Sequence, residues 1–183
     1  NTLAAAGAVF VQITSTNRDL GGNDVITTGT GDKNIVGGFG KDTIKAGINP
    51  ATGAALAAVS NHIILGDNGQ ADYDTISFNG KVVSYQTTDA IAETGDVDLI
   101  IVGNGDNTIL GGMGSDTITT GIGTDTILGD NGLVMLNDAN QLNTSNALAA
   151  GAVLVQIVST NRDLGGDDII TTGAGDKNIL GGF

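Results

Sequence analysis

The chain has 183 residues, of which 30 are Gly, one is Pro and none is Cys, and its formal net charge is −13. The lack of Cys excludes a disulfide staple and a thiolate metal site, and so acidic a balance argues against nucleic acid or an anionic membrane as partner. Of the 20 acids 19 are Asp, the residue that suits a carboxylate held close to a turn backbone or to a cation.

The opening NTLAAAGAV lacks Met and a basic segment, so it reads as a cut into a longer chain, and no stretch approaches the ~20 apolar residues of a membrane span. Residues 1–18 are expected to be the partial hairpin or strand of a preceding module. Residues 19–69 form a first repeat run: DLGGNDVIT, TGTGDKNIV and GGFGKDTIK place Ile26, Ile35 and Ile44 nine apart. An insertion at 47–60 holds the sole Pro and ATGAALAAV, where a short helix is expected, and the run ends in LGDNG. Residues 70–92 read as a hairpin, with ADYDTISF and KVVSYQTT flanking Asn79-Gly80, a two-residue turn signal. Residues 93–132 are a second run, ETGDVDLII, VGNGDNTIL, GGMGSDTIT and TGIGTDTIL, with Ile100, Ile109, Ile118 and Ile127 in step. Residues 133–162 read as strand, polar Ala-rich loop and strand, and residues 163–183 begin a third run with Ile170 and Ile179. A longer period lies above this one. Residues 7–39 recur at 151–183 with 27 of 33 positions identical, and a diverged copy between them puts Asp98 in the place of Asp24 and Asp168. The module is therefore about 72 residues, and tandem modules are repeat architecture.

About six residues of turn and three of strand make half a coil, and two halves make a right-handed coil with strands in two opposite sheets. The middle Ile points inward and ladders with the coils above and below. The glycines allow positive φ and close approach of successive turns. Stacked turns gather backbone carbonyls and Asp carboxylates along each edge, a set of hard oxygens that suits calcium rather than zinc or copper. The expected fold is all-β: parallel β-roll (β-solenoid) segments interrupted by β-hairpin insertions.

In GGFGKDTIK, GGMGSDTIT and TGIGTDTIL the chain resembles the haemolysin-type, or RTX, nonapeptide repeat, G-G-x-G-x-D-x-U-x with U a large apolar residue. The likeness covers the repeat runs, about half of the chain. It implies a parallel β-roll with calcium between its turns, secretion in an unfolded state by a type I-like route, and folding outside the cell. The alternation of roll, LGDNG and hairpin is similar to very large bacterial surface and matrix proteins.

Turns two repeats apart share an edge. One edge is expected to stack Asp24, Asp42 and Asp67, then Asp98, Asp116 and Asp130, with Asp168 starting the third group. These are the candidate calcium ligands, with carbonyls near Gly22, Gly38, Gly40, Gly112 and Gly114 filling the shell; Asx-turns without metal are the alternative. On the other edge the repeat's acid position holds Lys33, His62, Asn107 and Lys177, and Asp125 alone keeps the carboxylate and a candidate ligand role. Lys33 and Lys177 put an ammonium where a cation would sit, so calcium there is expected to be weak or missing. His62 is the only His, no nucleophile–base pair is evident, and the chain is not expected to be an enzyme. A row of Val36, Leu65, Leu110, Leu128 and Leu180 would leave one sheet apolar on both faces. It is expected to be covered by hairpin strands carrying Val9, Val11 and Ile13, or by a neighbouring chain. The expected function is a calcium-stabilised structural repeat of an extracellular fibre, sheath, surface layer or adhesin stalk that contacts neighbouring modules or self-associates. Alternatives are an adhesive or ice-binding roll using outward Thr43, Thr117, Thr119 and Thr126, and the secretion-linked repeats of a larger extracellular enzyme.

Overall fold

A computed structural model describes residues 11–73, 82–136 and 154–183. Its strands in the first half are β1 (Gln12–Thr14), β2 (Val25–Thr27), β3 (Lys33–Val36), β4 (Thr43–Ala46), β5 (His62–Leu65), β6 (Gly69–Tyr73) and β7 (Val82–Thr87). In the second half they are β8 (Leu99–Val102), β9 (Thr108–Gly112), β10 (Thr117–Thr120), β11 (Asp125–Asp130), β12 (Gly132–Leu136), β13 (Leu154–Ser159), β14 (Ile169–Thr172) and β15 (Lys177–Leu180). The protein is all-β: among the described residues the only helical turn is a 3-10 turn at Ala92–Thr94. No helix there is long and apolar enough to cross a membrane.

Strands from the nine-residue runs alternate between two sheets. One has the order β14-β10-β8-β4-β2 and the other β15-β11-β9-β5-β3, and every neighbouring pair is parallel. The register matches the sequence period. Ile26, Ile44, Ile100, Ile118 and Ile170 fall opposite one another in the first sheet, and Ile35, Ile64, Ile109, Ile127 and Ile179 in the second. The hairpin insertions do not break the stack, because β4 pairs directly with β8 and β5 with β9. All of these isoleucines except Ile179 meet between the sheets in one apolar cluster with Ala46 and Val102. Each fully buried Ile contributes about 1.5–3 kcal/mol. Ile179, on the outermost described strand, is half exposed. Ile109→Val, a single methylene at the centre of the ladder, is expected to cost about 0.5–1.5 kcal/mol, read as a lower urea midpoint with unchanged slope.

The remaining strands form a third, antiparallel sheet of order β1-β6-β7-β12-β13. It lies over the outer face of the β3-containing sheet. Leu65, Leu110 and Leu128 are at most 1% exposed there, packed with Ala71, Tyr73, Val82, Tyr85, Val134 and Leu136. The apolar row is thus covered from within the chain. Ile13 packs against this cluster, whereas Val11 is 62% exposed and does not. Period-2 alternation explains this only in part, since Val11 and Ile13 share a parity; Val11 lies before the first residue of β1. Val9, the Asn79-Gly80 turn and the loop at 137–151 lie outside the described residues.

Two local expectations are corrected. The insertion at 47–60 is not helical: it folds back through an isolated bridge between Ile48 and Ala55. Gly53 sits at φ 71°, and the amides of Thr52 and Gly53 both donate to Asn49 O, closing a turn where a helix would have to run. Nor do the four outward threonines share a face. Thr43, Thr117 and Thr119 lie on the uncovered sheet, in rows interrupted by Leu99, Lys45 and Ile101, but Thr126 lies on the β3-containing sheet, paired with Thr108.

Candidate metal centre

Each strand of the uncovered sheet is preceded by an Asp, and stacking brings these acids into one column. The Asp24 amide donates to Asp42 Oδ1 at 2.8 Å, Asp42 to Asp98 at 2.7 Å, Asp98 to Asp116 at 2.7 Å, and Asp116 to Asp168 at 2.9 Å. One oxygen of each acceptor carboxylate therefore satisfies not the local amide of an Asx-turn but a backbone amide at a neighbouring strand, 18 to 56 residues away in sequence. The other oxygen does not. Oδ2 of Asp42, Asp98, Asp116 and Asp168 is buried and has no hydrogen-bond partner. Asp24, on the outermost coil, is exposed.

Each orphaned oxygen lies in the same kind of cradle. A Cβ on Gly37 would overlap both Asp42 Oδ2 and Gly66 O; one on Gly66, Asp98 Oδ2 and Gly111 O; one on Gly111, Asp116 Oδ2 and Gly129 O; one on Gly129, Asp168 Oδ2 and Gly181 O. Four times over, a glycine leaves room beside a carboxylate oxygen and a carbonyl oxygen of the next coil. Buried acceptors without donors are costly. Neighbouring carboxylates about one strand spacing apart repel by roughly 3–4 kcal/mol per pair at an effective dielectric of about 20. Burial, aided by the adjacent carboxylates, pushes Asp42 and Asp168 up to about 6, Asp98 to about 7 and Asp116 to about 8. The donor set, hard oxygens only, fits a divalent cation of the calcium type.

The other assigned acids behave differently. Asp67 and Asp130 leave the column. Asp67 accepts from the amides of Asp96 and Met113, and Asp130 from those of Gly166 and Phe183. Each carboxylate pins its coil to the loop returning from the hairpin and to the glycine turn of the next coil. Burial and the Asp98 carboxylate push Asp67 up to about 10, more than the Met113 amide offsets. Asp125 is on the opposite edge with both oxygens engaged: Oδ1 accepts from Asn107 N and Nδ2, and Oδ2 from Thr120 Oγ1 and Lys177 Nζ. Those engagements set Asp67, Asp125 and Asp130 apart from the four column acids, whose Oδ2 is orphaned.

Of the glycines named from sequence, three make room for a neighbouring turn. Gly40 and Gly114 adopt φ of 117° and 99° and let successive turns close, Gly40 against Gly22 O and Gly114 against Asp96 O. Gly112 makes room for the Asp67 carboxylate, and nothing lies within 4 Å of a Cβ on Gly38. Carbonyls of Gly66, Gly111, Gly129 and Gly181 lie beside the orphaned oxygens. Their signal was present in the sequence: Gly directly follows the Ile-Val or Ile-Leu pair in each of IVGG, ILGD, ILGG, ILGD and ILGG.

His62 is 1% exposed with neither ring nitrogen partnered, and burial, then the Lys33 charge, pulls it down to about 4. Among the described residues no group of three or more His, Cys, Asp or Glu side chains converges on one point; in the column, side chains alternate with backbone carbonyls. The chain matches no protein-family model, no curated protein and no solved structure.

Proposed function

We propose that this chain is a calcium-stabilised structural segment of a secreted bacterial surface or matrix protein, its two parallel sheets wound as a right-handed β-roll. The observation that carries the reading is the column of four orphaned carboxylate oxygens, each beside a glycine carbonyl of the next coil. Asp42, Asp98, Asp116 and Asp168, with the carbonyls of Gly66, Gly111, Gly129 and Gly181, are the residues that would hold calcium. The ion would supply positive charge where the backbone supplies no donor. It would also make folding conditional on location, since calcium is scarce in the cytoplasm and abundant outside the cell. The nine-residue period and its resemblance to calcium-binding nonapeptide repeats support the same reading. Contact with neighbouring modules or self-association then gives a fibre, sheath, surface layer or stalk.

The test is circular dichroism and light scattering through a calcium titration, with magnesium as control. A cooperative gain of β structure between roughly 0.1 and 1 mM calcium is expected. Magnesium, smaller and slow to shed its waters, is expected to be a poor substitute. A spectrum indifferent to calcium sinks the reading, and scattering that grows with folding adds assembly.

A further inference from the structure

The seam opposite the aspartate column is built from the same coils but with different chemistry. Its register positions are Lys33, His62, Asn107, Asp125 and Lys177. Asp125 is fully buried, and its Oδ2 lies 3.1 Å from Lys177 Nζ, whose side chain is 10% exposed. The same ammonium donates to Gly123 O of the neighbouring coil and to Ala174 O of its own at 3.2 Å. Three acceptors meet the three N–H bonds of an ammonium. Lys33 repeats the local half of this arrangement, donating to Thr30 O at 2.9 Å and Gly31 O at 2.6 Å. Asn107 Nδ2 does likewise with Gly105 O at 3.0 Å.

We infer that this second seam carries its own cation: Lys177 Nζ occupies a site formed by Asp125 and the carbonyls of Gly123 and Ala174, and this level takes no metal. On one edge carboxylate and carbonyl oxygens face each other with no donor between them. On the other a side-chain N–H stands in that position. A buried carboxylate needs a partner, and here the chain provides it. The assignment of Lys177 stands on this geometry alone. Its corollary, that calcium occupies one seam and not the other, rests on the calcium reading.

The experiment is a double-mutant cycle on the full chain, melted in saturating calcium and again in EDTA, with bound calcium counted by equilibrium dialysis. Lys177→Gln is expected to lower the melting temperature, because it strands the Asp125 charge. Asp125→Asn in that background is expected to recover much of the loss, with the calcium count unchanged. Additive effects of the two substitutions, or no loss from Lys177→Gln, overturn the inference. Lys177→Asp places a second carboxylate at the vacated site and is expected to bind one more calcium than the parent; an equal count overturns the claim that this is a cation site. If the parent binds no calcium, the calcium reading fails, and coupling in the cycle still decides the Lys177 assignment. If the parent binds calcium but the cycle shows no coupling, only the Lys177 assignment falls.

Discussion

In calcium-free buffer the fold is expected to gain stability as the pH falls, and in saturating calcium that dependence is expected to vanish above about pH 4. The four column acids have folded values raised to about 6 (Asp42, Asp168), 7 (Asp98) and 8 (Asp116) from 3.8. Between 3.8 and the raised value the folded state holds a proton that the unfolded state has released. Stability therefore falls as the pH rises through that window, by about 1.4 kcal/mol per pH unit for each carboxyl still titrating. It is highest below 3.8 and stops changing for each group above its folded value; Asp67 extends the decline to about 10. His62 works in the opposite direction. Its lowered value of about 4 means that stability is lost as the pH falls from 6.5 through 4. Asp72, held below its ordinary value, despite burial, by hydrogen bonds from Gln12, Gln70 and Ser84, acts in the same direction; the raised acids, Asp89 among them, outnumber these two. Calcium is expected to cancel this slope, because it holds the column acids ionised in the folded state, so that above 3.8 neither state takes up a proton at these positions. Urea melts at about pH 4, 6 and 8 in EDTA and in millimolar calcium read both slopes. An equally steep slope in the two media would mean that the column is not a cation site.

Asp116→Asn separates the two duties of a column acid. The asparagine keeps an Oδ1 to accept the 2.7 Å bond from the Asp98 amide, so the ladder survives. It replaces the orphaned Oδ2 with an uncharged amide, so the cation loses its carboxylate. In calcium held at 100 times the dissociation constant, loss of one independent site removes about 2.7 kcal/mol, seen as a lower melting temperature and one fewer calcium bound. In EDTA the sign inverts, because the variant no longer buries a carboxyl that resists ionisation below about 8. A variant as stable as the parent in both media would reduce Asp116 to the acceptor of the Asp98 amide.

The strand order of both parallel sheets was legible because the period and the geometry coincide. Nine residues return the same Ile to the same position, and a one-residue slip would expose the whole ladder. The column acids were legible for the same reason, since Asp42 and Asp116 hold one place in the repeat. The partners of Asp67 and Asp130 were not. Their carboxylates reach amides 46 and 53 residues away, Met113 and Phe183, and no local pattern says which turn stacks over which. Lys177 was legible as a replacement for the repeat's acid, but its dependence on Asp125 appears only when β11 and β15 are set side by side. The helix expected near residue 55 failed because Ala-rich composition is a weak prior, and one Gly at positive φ overrides it.

The antiparallel layer contributes two strands for every two coils of the parallel stack: β6 and β7 between β5 and β8, β12 and β13 between β11 and β14. Both layers therefore climb at the same pace, about 9.6 Å per module. A single inserted strand would fall behind the coils it covers, and a three-stranded meander would overrun them. Matching pitch is what lets a covering layer extend alongside the stack without accumulating shear. Its consequence is a column that advances little for the chain it consumes, about 0.13 Å of axial rise per residue against about 3.3 Å for an extended strand. Such a unit turns sequence into girth and bending stiffness rather than reach.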